Sequence, residues 1–159
     1  MKTKFFLLIA FFATFSTITV SAQNFDNSSI KDMTEEFFSK PSVYSVLAMT
    51  MDGEVKSTSN MVALISKEIF GVQNLDTKEV LIVEDIIPNL ETADVNWRGD
   101  VVTKRVYRTK TGLLLLAASK AKIQHDNEDL EIYILSIFID RDEKKELMTL
   151  LLQYVGEWK

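Results

Sequence analysis

Cysteine is absent from the chain, and histidine occurs once. The first absence excludes disulfide staples, a thiolate nucleophile, cysteine-bearing zinc sites and a lipid-acceptor residue behind a leader. The second leaves His125 without a histidine partner for metal binding. As a general base it needs a nearby nucleophile and an orienting acid. Its place between Gln124 and Asp126 is that of a solvated loop histidine. Only five glycines and two prolines are present, and they form neither a phosphate-cradling loop nor a Gly-x-Ser-x-Gly elbow. Positive charge is also in deficit: 18 Lys and Arg stand against 23 Asp and Glu, a formal net charge of −5. Such a balance disfavours nucleic acid and anionic membranes as main partners, since both reward basic patches.

Residues 1–22 read as an export signal. Lys2 and Lys4 precede the apolar run Phe5–Phe15, and Val20-Ser21-Ala22 places small residues before Gln23. Ser16, Thr17, Thr19 and Ser21 make the second half of the run poor spanning material. The expected product is exported, periplasmic or secreted, with no membrane anchor after cleavage. Losing Lys2 and Lys4 makes it more acidic still. Residues 23–29 read as a flexible leader and 30–159 as one domain, an ordinary size for a single core.

Patterning within that domain predicts an α+β fold, a mainly antiparallel sheet with a capped C-terminal helix packed on it. Ile30–Lys40 has a helical stripe ended by Pro41. Val43–Met51 reads as a strand, Asp52-Gly53 as a hairpin turn and Glu54–Ser59 as a short edge strand. Met61–Phe70 returns to helical spacing through Met61, Leu64, Ile65 and Ile69, and Glu79–Glu84 is a strand. Asp85–Arg98, interrupted by Pro88, Asn89 and Asn96, is an irregular linker. Val101–Thr109, Leu113–Gln124 and Leu130–Ile139 alternate as three strands. Asp140 with Glu143 then resembles a helix-capping pair ahead of the stripe Leu147, Leu150, Leu151, Tyr154 and Val155.

No group of residues assembles a catalytic or metal site, and no cofactor is implied. Asp126, Asn127, Glu128 and Asp129 lack the alternation and turn glycine of a calcium loop and read as a hairpin tip. Glu84 and Asp85, with Asp94 and Asp100 downstream, are carboxylates that a dispersed hydrolase site would draw on. Arg98-Gly99-Asp100 spells an adhesion tripeptide, yet a turn explains it as well. The candidate binding residues are Lys104, Arg108 and Lys110, which share one face of a strand and suit an anionic ligand or acidic partner. On an α+β fold that face would be left uncovered by the helices, mixing basic with apolar side chains.

Ser42-Val43-Tyr44-Ser45-Val46 after a short helix, and Val80-Leu81-Ile82-Val83-Glu84 after a second, resemble small exported Bacteroidetes proteins of unknown function. That resemblance implies export and no particular activity. The overall order of elements also resembles roadblock-type interaction domains, by fold analogy alone. The reading that follows is a non-enzymatic exported module that binds a protein partner or itself. The alternative is a small-ligand-binding protein or hydrolase.

Overall fold

The computed structural model describes residues 31–56, 58–97, 99–125, 128–140 and 144–158, with residues 120–125 and 128–130 described by their backbone alone. Strand accounts for 74% of the described residues and helix for 4%, so the α+β expectation is wrong: the molecule is a closed antiparallel barrel of eight strands. Its wall runs through β2 (Ser42–Met51), β4 (Met61–Ile65), β5 (Ile69–Asn74), β6 (Val80–Trp97), β7 (Asp100–Thr109), β8 (Leu113–His125), β9 (Glu128–Ile139) and β10 (Glu146–Glu157). Each strand pairs with the next, and β10 returns to β2, with Leu150 opposite Met49. Two short strands lie off the wall: β1 (Lys31–Asp32) on β8 and β3 (Glu54–Lys56) on β2.

Both long helices of the sequence reading are strands. Met61–Phe70 is β4, a turn and β5. Met61, Ala63 and Ile65 point inward, and the Ser66 hydroxyl accepts hydrogen bonds from the amides of Glu68 and Ile69 at the turn. The apolar spacing fits period 3.6 and period 2 alike, and a run this short cannot decide between them. The C-terminal segment is β10, with Met148, Leu150 and Leu152 inward and Leu147, Thr149 and Leu151 half-buried on the other face. Leucine favours helix, but here the strand bonds β9 on one side and β2 on the other, and closing the wall outweighs propensity. The proposed partner of the Asp140 cap, Glu143, lies outside the described residues. Asp140 itself pairs with Arg108.

Among the described residues, helix is confined to α1 (Thr34–Phe38), within the span read as helical. Five residues would not hold a helix alone. Its Phe37 and Phe38 are inserted into the barrel core, where each buried ring is worth about 2–3 kcal/mol. Phe37 meets Tyr44 and Tyr133, and Phe38 meets Tyr107, so α1 plugs one end of the barrel. The interior is otherwise filled by side chains such as Met49, Phe70, Val72, Leu115, Leu135 and Ile137.

The stretch read as a linker turns out to be the longest strand, β6, with 18 residues. Its first part pairs with β5. At Pro88-Asn89 the pairing with β7 slips, and from Leu90 onward β6 and β7 form a hairpin arm with its tip between Trp97 and Asp100. Proline and asparagine therefore mark a bend in a continuing strand. Burial on both sides points to this arm as the cover of β8 and β9. Those strands are buried on both faces, and the outward Leu114, Leu116, Ile134 and Phe138 need a cover. Ala93, Val95, Trp97 and Val106 make the buried face of the arm. Its tip reaches the start of β10, where Asn96 forms a parallel bridge with Lys145 and donates its amide to the Lys144 carbonyl at 3.4 Å.

Because β7 leaves the wall so early, it meets β8 only at Tyr107↔Leu115 and Arg108↔Leu114. The vacated edge of β8 is taken by the N-terminal segment. Lys31 and Asp32 pair with Ser119 and Ala118, the Met33 amide donates to the Ala117 carbonyl, and the Thr34 hydroxyl accepts from the Ala117 amide. Those backbone groups are thereby satisfied away from water.

Candidate cleft at the barrel rim

Where the arm tip approaches the rim, it leaves a cleft of about 440 Å³. That is within the range of small-ligand sites, roughly 300–1,000 Å³. Three elements build it. The end of β2 brings Thr50 and the Asp52-Gly53 turn, the start of β10 brings Lys145 to Thr149, and the arm brings Asn96 and Gly99. The turn follows the hairpin reading: Asp52 and Gly53 both have positive φ, 51° and 81°, as a two-residue connection requires. Its position is fixed by the Asp52 amide, which donates to the Leu147 carbonyl at 2.9 Å. Met51 faces Met148 and Thr50 faces Thr149, so the two threonines lie side by side across the pairing. Lys144, just before β10, holds a left-handed backbone at φ 42°.

The cleft carries both signs of charge. Lys145 is a cation among its lining residues, and Asp52 and Glu146 are anions. Glu146 accepts a hydrogen bond from the Thr149 hydroxyl. Hydroxyls, an amide and opposed charges around Leu147 and Met148 can hold a segment that is polar with apolar side groups. Among the described residues, no three His, Cys, Asp or Glu side chains are grouped to hold a metal ion.

The residues singled out from sequence lie elsewhere. Arg108 is held between Glu91 and Asp140, donating to both, and these carboxylates favour its charged form. Lys110 pairs with Asp85 at 2.9 Å. The Lys104 ammonium lies 5.2 Å from the centre of the Trp97 ring, a cation–π contact. The three basic groups thus have partners within the chain, and Arg108 fastens the arm to the end of β9. On β7, β8 and β9, Val101 is the only large hydrophobic side chain fully exposed among the described residues. The pair of helices expected to cover one face of these strands is itself part of the barrel wall.

The dispersed carboxylates do not converge. Glu84 accepts from Thr111, Asp85 takes Lys110, and Asp94 accepts from the Thr103 hydroxyl out on the arm. Asp100 stands at the arm tip next to Gly99. His125 ends β8 opposite Glu128, and its side chain, with Asp126, Asn127 and Arg98, lies outside the described residues. Sequence reasoning missed the cleft because two of its walls are set by the arm and by β10, which were read as linker and helix. The Asp52-Gly53 turn was its only local signal.

Comparison with protein-family models, with curated proteins and with solved structures returns no match, so the chain stands here on its own geometry.

Proposed function

We propose that this chain is an exported, non-enzymatic binding module that takes a segment of a protein partner into the rim cleft. The observation that carries the proposal is the cleft itself. It lies between two separate pieces of backbone, the arm tip and the β2–β10 rim, and it offers opposed charges, Lys145 against Asp52 and Glu146, around Leu147 and Met148. Polypeptide offers matching chemistry, with amide donors and acceptors, charges of both signs and apolar side chains in alternation. Export rests on the leader-like residues 1–22.

Site-specific photo-crosslinking tests this reading. A crosslinking residue at Leu147, used in the native host, should trap a discrete polypeptide, and the trap should weaken with Lys145→Glu. The same probe at Leu75, exposed but outside the cleft, should trap nothing comparable. Equal capture at both positions, or none at Leu147, would overturn the proposal.

A further inference from the structure

The arm has an open edge. Trp97 and Asp100 close a two-residue hairpin, so they form a hydrogen-bonded pair, and bonded pairs then alternate along the arm. Asn96↔Val101, Asp94↔Thr103 and Thr92↔Arg105 are therefore the pairs whose N–H and C=O groups point away from the hairpin. Asn96 follows this rule, since its amide reaches out to Lys144. On the other side, Val101 and Thr103 face no strand of the described residues, because β7 meets β8 only from Tyr107. The open stretch ends at Arg105, where Glu35 of α1 pairs with the guanidinium at 2.7 Å. It holds no proline and no bulge, two common protections of an edge. Val101 is 74% exposed, the highest value among the exposed large hydrophobic residues described.

We infer that this edge pairs antiparallel with the same edge of a second copy, centred on Val102. Hydrogen-bond parity restricts the choice of register, since outward residues must oppose outward residues. Centring on Val102 sets Val101 against Thr103 of the copy and Val102 against itself. It also sets Asp100 directly opposite Lys104 of the copy, and two-fold symmetry repeats that ion pair at the other end. No like charges are opposed within residues 100–104. The Asp100 carboxylate has no ion-pair partner among the described residues and would gain one. This charge complementarity favours a second copy over an unrelated strand. The pairing is short, so the association is weak, with Kd on the order of 0.1 mM.

Sedimentation of the purified protein over a concentration series tests the interface. Wild type should pass from monomer to dimer, and more weakly at high salt. Asp100→Lys and Lys104→Asp should each weaken association about three- to thirty-fold, because each opposes like charges twice. An equimolar mixture of the two variants should restore it, since every Lys then faces an Asp. Far-ultraviolet circular dichroism checks that both variants are folded. If either is not, Asp100→Asn replaces the pair and should weaken association at low salt only. A monomer at about 1 mM, ten times the Kd expected for so small an interface, would overturn the inference. So would a dimer indifferent to these substitutions, or singles that fail to recover on mixing.

Discussion

Phe37 of α1 stacks on Tyr44 of β2, with ring centroids 4.8 Å apart and planes inclined by 28°. Tyr133 and Tyr154 complete the array, each meeting the Tyr44 ring edge-on. Burial pushes the Tyr44 phenol up to about 12, against a partial offset from its hydrogen bond with Ser42. Tyr133 is raised too, first by burial and then by Glu131.

A raised tyrosine pKa makes the folded state hold its proton longer than the unfolded chain. The contribution is complete below pH 10, the ordinary value, and is lost as pH climbs to about 12. Wild type should therefore lose stability over that interval, with Tyr44 accounting for about 1–3 kcal/mol of the loss. Tyr44→Phe should flatten the decline. Denaturant melts across alkaline pH, with phenolate absorbance followed in parallel, give the comparison.

The two neighbours Leu150 and Leu151 should behave differently. Leu150 is fully buried inside the barrel, so Leu150→Ala should cost about 2–5 kcal/mol. Leu151 is half-buried on the outer face, and Leu151→Ala should cost markedly less. A buried helical stripe through both residues would instead make the costs similar. Equilibrium unfolding of the two variants decides between strand and helix.

Arg108→Ala should cost about 1–3 kcal/mol, because it leaves Glu91 and Asp140 half-buried without their cation. The loss should be local. Amide exchange should rise across the arm and the outer face of β8 around Leu114 and Leu116, and hardly at all in β4 and β5. Uniform change over the whole barrel would contradict the role of Arg108 as a fastening between the arm and β9.

Gly53 and Gly71 offer a paired test of backbone conformation. Gly53 has φ 81° with open space around its missing side chain, so Gly53→Ala costs only the left-handed penalty, about 1–2 kcal/mol. Gly71 lies in β5, where an added Cβ would meet the Ile82 carbonyl and a Val83 methyl at 3.6 Å, ordinary contact distance. Gly71→Ala should be neutral or stabilising by a few tenths of a kcal/mol. Thermal melts of both variants measure the difference.

Six of the strands were legible because their signals are local. Alternation marks Val43–Met51 and the three runs from Val101 to Ile139, while a short apolar run marks Glu79–Glu84 and polar character the edge strand after Asp52-Gly53. The two helix errors arise where leucine, methionine and isoleucine satisfy both periods and the deciding contact is remote. Nothing near Glu146–Glu157 announces that β2 will be its neighbour. Pro88 misled for a different reason, since it sits at a slip in the pairing, where no ladder bond is asked of it. The candidate basic row was legible as a row of charges. Its internal partners Glu91, Asp140 and Asp85 come from other parts of the chain, and sequence spacing cannot place them.

The seam between β2 and β10 also sets an order of events for the nascent chain. β2 leads the wall and β10 completes it, so an emerging fragment that stops short of Glu146 leaves both β2 and β9 with an unpaired side. The N-terminal patch on β8 is similarly remote, with Thr34 waiting for Ala117. Closure entropy is spent on these distant pairings before they stabilise anything, so the barrel cannot close until the last of its strands is available. A polypeptide with this connectivity cannot seal its β2–β10 seam before Glu146–Glu157 has been made.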